Sequence, residues 1–208
     1  MKTVGYAAFS NDAHMKPYHF ERRDLRANDV AIEILYCGVC HSDLHTVNGD
    51  WGPQPYPLIP GHEIVGAVTA IGDDVKNYKV GQNVAVGCMV DSCQECDQCH
   101  NHEEQFCRNG MTPTYGAPDR ISGDTTQGGY SKHIVVREEF VLNVPEGMDL
   151  AKDVSCKQSY RWNEMRWAWP DGYTAQENAP HKVVAIDYGA KRNILRCLAS
   201  AGCNVTVL

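Results

Sequence analysis

Asp29-Val30-Ala31-Ile32-Glu33-Ile34-Leu35-Tyr36 is a short run rich in β-branched and aliphatic residues, with Asn28 before it and Gly38 just beyond. Ile64-Val65-Gly66-Ala67-Val68-Thr69-Ala70-Ile71 and His133-Ile134-Val135-Val136 have the same texture. From Lys2 to about Val144 such runs are cut by Gly, Pro, Asn and Asp, and helical periodicity is weak. Short apolar runs between turn formers read as strands, so this part is predicted to be mainly β, a barrel or a sandwich. Around Gly147 the texture changes. Trp162, Trp167 and Trp169 fall in one polar, poorly periodic stretch ending at Ala179-Pro180, read as a connector over 151–180. The residues 181–208 then predict strand (Val183 to Ile186), a turn at Gly189, helix (Lys191 to Ala201), a stop at Gly202 and strand (Val205 to Leu208), a partial α/β unit. The last strand reads as a buried parallel one, so a truncated end is expected there.

Composition narrows the functional class. The 208 residues hold 19 Lys+Arg against 26 Asp+Glu, a net charge of −7, with 43% hydrophobic and 22% charged residues. That is ordinary globular composition, long enough for one large or two small domains. An acidic balance without a Lys/Arg run argues against nucleic acid and against an anionic membrane surface, and favours a small or neutral substrate. No apolar stretch approaches the roughly 18 residues that span a bilayer, and no apolar signal region follows Met1-Lys2. A cytoplasmic location is expected.

Of the 10 cysteines, Cys37, Cys40, Cys88, Cys93, Cys96, Cys99 and Cys107 crowd together, with only Cys156, Cys197 and Cys203 later. Clustered thiols read as metal ligands in a reducing compartment and as disulfides in a secreted chain. Cys93, Cys96, Cys99 and Cys107 lie close enough for one loop to wrap a tetrahedral ion, and four thiolates close the shell of a structural zinc. The surrounding Ser92 to Arg108 is too polar to order by burial, so metal binding would supply the ordering free energy. An iron–sulfur cluster also takes four cysteines, though at different spacing. Cys40, His62 and Glu63 are a thiolate, an imidazole and a carboxylate, a mixed set suited to a zinc with an open position. Taken alone, that pair is weak evidence, because a buried cysteine and a satisfied loop histidine are commoner than ligands. Cys37 reads as a small hydrophobe at a strand end, Cys88 likewise, and Cys197 and Cys203 as core or surface thiols.

Four strings in order carry a resemblance: Cys37-Gly-Val-Cys-His-Ser-Asp-Leu-His45, Pro60-Gly-His-Glu63, the four-cysteine lobe and Thr126-Gln-Gly-Gly-Tyr130. Residues 1 to about 150 resemble the N-terminal, GroES-like catalytic domain of zinc-dependent medium-chain alcohol dehydrogenases, in particular the cinnamyl alcohol dehydrogenase-like branch. The resemblance implies a GroES-like barrel with a zinc lobe and two zinc ions. Cys40 and His62 would hold a catalytic zinc, with Glu63 a nearby or alternating ligand, and Asp43 would accept the other ring N–H of His62. Ser42 and His45 would relay the substrate's hydroxyl proton, His41 would face the cofactor and Trp51 would line the pocket. The activity implied is NADP-dependent interconversion of a small alcohol and its aldehyde, with neither nucleic acid nor membrane as partner. Two departures stand against it. The family's third protein ligand, a cysteine after the segment resembling Pro145 to Ala151, has no clear counterpart, Cys156 being nearest. No Gly-x-Gly-x-x-Gly dinucleotide turn occurs in the chain, so it is expected to lack turnover by itself.

From about Gly147 onward, Gly147-Met-Asp-Leu-Ala-Lys-Asp-Val154 and His181-Lys-Val-Val-Ala-Ile-Asp-Tyr-Gly-Ala-Lys-Arg-Asn-Ile-Leu195 resemble the carbamoyl-phosphate synthetase small subunit, at the start of its class I glutamine amidotransferase domain. This implies a chimera with 1–150 as the dehydrogenase domain, 151–180 as connector and 181–208 as a truncated amidotransferase-like unit. A non-catalytic zinc-stabilised module and a fragment of the glutamine-hydrolysing subunit are the alternative functions.

Overall fold

The computed structural model describes residues 1–11, 14–145, 156–187 and 190–208. The chain divides into two compact units, Met1–Glu146 and Gly147–Leu208.

In the first unit, strands β1 (Lys2–Ala7) and β2 (Lys16–Glu21) form an antiparallel hairpin. The central sheet is built from β3 (Asp29–Gly38), β4 (Glu63–Ile71), β5 (Asn83–Val86), β8 (His133–Arg137) and β9 (Val141–Asn143) in the order β8-β3-β4-β5-β9, with every pairing antiparallel. This sheet curls into a half-barrel, a mainly β fold of the GroES-like kind. Between its strands come β6 (Met89–Asp91) and β7 (Thr112–Pro113), which pair with each other and flank the cysteine lobe. The three runs singled out as strands are thus β3, β4 and β8.

One face of the curled sheet makes the core: Val30, Ile32, Ile64, Val68, Val84, Val86, Ile134 and Val136, joined by Phe140 and Val141. Every second residue of β5 and β8 points inward, as the pleat requires, and each buried aliphatic side chain contributes about 1.5–3 kcal/mol. Gly66 sits where β4 crosses β3, and a Cβ there would lie 2.6 Å from Ile32 Cγ2, so the two strands approach this closely only with glycine. Strand β3 carries two register shifts against β4, at Ala31/Ile32 and Ile34/Tyr36. Such bulges re-aim a strand. Beyond the second one Tyr36 is exposed, Cys37 packs against the core, and the chain turns towards Cys40.

The second unit holds β10 (Tyr160–Trp162), β11 (His181–Ala185) and β12 (Cys203–Val207) in the order β10-β12-β11, with the helix α3 (Arg192–Ser200) between β11 and β12. Strands β11 and β12 run parallel, and Gly202 at φ +83° ends the helical segment as expected. Leu195, Cys203, Val205 and Val207 form a small core. On the other face Val184 and Ile186 are 61% and 65% exposed, because a single helix covers only one side of a parallel pair. The stretch expected as a connector needs correcting at Tyr160–Trp162, which forms β10, antiparallel to β12. Trp162 packs on the same small core, and Arg196 lies over the Trp162 and Tyr173 rings while bonding Glu164. Three aromatic and cationic residues are too short a run for a period to show, so tertiary packing decided this strand. The Gly147 to Val154 string and the Gly189 turn lie outside the described residues.

Candidate functional site

The motif that follows β3 is helical. Cys40 is extended at φ −94°, and α1 (His41–Asn48) starts behind it, with the Asp43 carboxylate accepting the Cys40 N–H at 3.0 Å. An acidic side chain in the first turn caps the free N–H groups there, and Gly49 at φ +73° stops the helix. Asp43 and Gly49 were the readable signals of this helix, too short for its periodicity to register. The helix sets His41 and His45 one turn apart, their ring centroids 4.9 Å from each other.

His62 comes from the loop before β4. Gly61 takes φ +101°, and a Cβ on it would strike the Tyr130 ring and lie 2.9 Å from Cys37 Sγ. Glycine here lets the loop fold back so that Cys40, His62 and Glu63 place one ligand atom each within 4.8 Å of one another. The Ser42 hydroxyl donates to Cys40 Sγ at 3.1 Å and lies 3.4 Å from His62 Nε2, so it borders the point on which the three converge. Cys156 belongs to the other unit, where its thiol donates to the Gln158 carbonyl at 2.6 Å. Cys37 stands behind Glu63, and burial pushes its thiol up to about 11, so it stays protonated and inert at neutral pH.

Asp43 is the centre of the polar scaffold. Its Oδ1 lies 3.1 Å from His62 Nδ1, and a carboxylate there favours the proton on Nδ1, which leaves Nε2 free for a metal. Burial would raise this carboxyl, but the hydroxyl of Tyr115, the N–H of Cys40, the hydroxyl of Tyr130 and the N–H of Gly61 donate to it and hold it below the usual carboxylate range. Tyr115 is not marked by any sequence motif, and Tyr130 stands in the Thr126–Tyr130 string without a role, because both lie far along the chain from His62. Tyr130 is delivered by the Thr126-Gln-Gly-Gly-Tyr130 strap. Gly128 and Tyr130 donate their N–H groups to the Ile59 and Pro60 carbonyls, and the Arg22 guanidinium donates to the Gln127, Gly128 and His133 carbonyls.

At the exposed rim, His45 Nδ1 lies 2.7 Å from Asp50 Oδ2, and the Trp51 ring sits 5.2 Å from the His45 ring while itself 65% exposed. Asp50 is a partner the sequence reading missed. Among the described residues no hydrogen bond joins Ser42 to His45.

The lobe cysteines Cys93, Cys96, Cys99 and Cys107 converge in the same way, every sulfur within 4.8 Å of the others. Cys93 and Cys99 sulfurs are 3.8 Å apart and Cys96 and Cys99 3.5 Å, close to the ~3.8 Å edge of a tetrahedron with ~2.3 Å zinc–sulfur bonds. A short helix, α2 (Asp97–His100), carries Cys99, and the Ser92 hydroxyl touches its sulfur at 3.2 Å. Backbone N–H groups, of Glu95 first, bring the Cys93 thiol down to about 6, towards the thiolate a metal needs. Among the described residues no helix is long and apolar enough to cross a membrane.

Residues 26–146 match the alcohol dehydrogenase GroES-like domain. The chain belongs to that family. "Probable mannitol dehydrogenase 1" of Stylosanthes humilis is 50% identical over 149 residues, 72% of this chain and 41% of the relative. "NADP-dependent alcohol dehydrogenase C 1" of Mycolicibacterium smegmatis is 43% identical over 213 aligned positions, 100% of this chain and 59% of the relative. A crystal structure described as CAD from Helicobacter pylori complexed with NADP(H) superposes with a TM-score of 0.70 at 30% identity, covering 100% of this chain and 58% of the other. The chain thus spans about half the length of these relatives.

Proposed function

We propose that this chain is the zinc-holding part of an alcohol dehydrogenase-type oxidoreductase that interconverts a small alcohol and its aldehyde with NADP. The observation that carries the reading is the convergence of Cys40, His62 and Glu63 next to the Ser42 hydroxyl, in a chain whose first unit belongs to the family. A thiolate, an imidazole and a carboxylate fit zinc and leave one position open. When bound, zinc supplies Lewis-acid polarisation of the substrate oxygen. Ser42 Oγ would accept the hydroxyl proton as its own proton leaves through a bridging hydroxyl or water towards His45, which would pass it to solvent with its ring oriented by Asp50 at 2.7 Å. Trp51 offers an apolar wall beside His45, and His41 faces outward on the same side of α1. Cys93, Cys96, Cys99 and Cys107 would close the shell of a lobe zinc with four thiolates, and that ion would only hold the lobe in shape. The sequence carries no Gly-x-Gly-x-x-Gly dinucleotide turn, and Asp187 to Lys191 has one glycine. We therefore expect the chain by itself to show no saturable NADPH oxidation with an aromatic aldehyde, and a cytoplasmic setting for the whole protein.

The test is titration of the cobalt(II)-loaded chain with benzyl alcohol, followed in the visible d–d bands. A saturable spectral change that is absent from the Cys40→Ser variant supports an open substrate-binding position. Bound cobalt with an unresponsive spectrum would favour the second reading, a zinc-stabilised module without catalysis, whose support is the lack, among the described residues, of a second thiolate beside Cys40. For the C-terminal unit, the carbamoyl-phosphate synthetase resemblance gives a chimera reading that rests on its quoted strings alone; the Mycolicibacterium relative aligns through that unit as well. Glutamine hydrolysis is the readout that would favour it.

A further inference from the structure

We propose that Tyr115 and Tyr130 are positioning residues that hold the His62 imidazole in its metal-binding orientation by clamping both oxygens of Asp43. The proposal rests on the reading of Cys40, His62 and Glu63 as a metal site.

The Asp43 side chain is 2% exposed, so water does not orient it. A carboxylate held on one oxygen only can rotate about its Cβ–Cγ bond, carrying the acceptor away from the imidazole. Here each oxygen is held by a phenol. The Tyr115 hydroxyl donates to Oδ1 at 2.6 Å, and the Tyr130 hydroxyl donates to Oδ2 at 2.9 Å. Backbone N–H groups add one donor each, Gly61 to Oδ1 at 3.1 Å and Cys40 to Oδ2 at 3.0 Å. With the rotation blocked, Oδ1 stays 3.1 Å from His62 Nδ1 and the ring presents Nε2 towards the Ser42 and Cys40 side. Tyr115 also bounds the ring directly: its own ring lies 5.8 Å from the His62 ring at 30°. Tyr130 reaches the ring through Asp43, while its own ring and N–H brace Gly61 and Pro60 on the His62 loop, and it depends on the strap that Arg22 fastens. Partners behind a ligating histidine typically change metal affinity by about 10–100-fold when removed.

The experiment uses Tyr115→Phe and Tyr130→Phe, which delete only the hydroxyls, and Asp43→Asn. Cobalt(II) affinity at the site is read by chelator competition on the full chain, with the Cys40→Ser variant subtracted to remove the lobe signal, and the His62 tautomer is read from its ring nitrogen resonances in the metal-free chain. We expect each Phe variant to bind cobalt about 10–100-fold more weakly at this site with a shifted d–d spectrum, the lobe charge-transfer band unchanged, and mixed His62 tautomers. In the Asp43→Asn background neither Phe change should weaken binding further, since both act through that carboxylate. A variant that loses stability yet keeps cobalt affinity, spectrum and tautomer would overturn the proposal, as would equal losses with and without Asp43. Absence of cobalt from this site in the unaltered chain would overturn the metal-site reading itself and the positioning role with it. The lobe band reports in every sample whether the chain is folded.

Discussion

Gly128 is where the strap meets the site, and it should not tolerate a methyl group. A Cβ on it would lie 2.6 Å from the Gly61 carbonyl oxygen and closer still to the Pro60 carbonyl. That is about 1 Å short of ordinary carbon–oxygen contact, and the obstructing atoms are backbone on the loop that carries His62. In Gly128→Ala the strap must therefore lift. Lifting it strains three hydrogen bonds: Gly128 N–H to Ile59 O at 2.6 Å, Gly129 N–H to Gly61 O at 2.8 Å and Tyr130 N–H to Pro60 O at 3.0 Å. At roughly 1 kcal/mol net each, with the overlap added, the cost is about 2–4 kcal/mol. The two units have separate cores, so a single global melt would blur the effect, and native-state amide exchange reads it better. Exchange in β3, β4 and β8 should accelerate about 30- to 1,000-fold if the unit opens as a whole, while α3 and β12 serve as internal reference. Gly87→Ala is the control, since a Cβ there meets nothing within 4 Å and its φ is ordinary. Exchange in β4 within about twofold of the unaltered chain would refute the strap's rigidity and its role in aiming Tyr130.

Leu195 is 1% exposed at the centre of the C-terminal core, so Leu195→Ala should cost about 2–5 kcal/mol and expose β11 and β12 to exchange while β3 and β4 stay protected. Cys99→Ser should lower zinc content by about one equivalent in elemental analysis, and Cys40→Ser by about another, because each cluster would hold its own ion. Asp119 gives a pH prediction. Burial pushes its carboxyl up, but Arg26 and the N–H groups of Ser122 and Ile121 outweigh this and hold it well below the usual range. Its stabilisation is complete above the unfolded value of about 3.9 and fades as pH falls towards the lower folded value. Asp119→Asn should thus be less stable than the unaltered chain in urea at pH 7, with the gap closing below about pH 4.

The strands β3, β4 and β8 and the pairing of β11, α3 and β12 were legible because each is a long enough apolar run between turn formers. The four lobe cysteines were legible from spacing alone, since one loop supplies all of them. Cys40, His62 and Glu63 needed the resemblance, because their convergence depends on Gly61 folding a distant loop back against α1. Tyr115, Tyr130 and Asp50 were not legible. Tyr115 lies 72 residues and Tyr130 87 residues from their shared carboxylate, which leaves no local pattern, and Tyr130 finds it only because of how the strap crosses the loop. Helix α1 hid for a related reason: its length is eight residues, and its polar ones face the site.

The most direct test of the zinc reading is a zinc-edge anomalous difference map from crystals of the zinc-loaded chain. Two peaks are expected, one about 2.3 Å from each of the Cys93, Cys96, Cys99 and Cys107 sulfurs and one at bonding distance from Cys40 Sγ and His62 Nε2. A single peak in the lobe, with Cys40 and His62 bare at saturating zinc, would contradict the account.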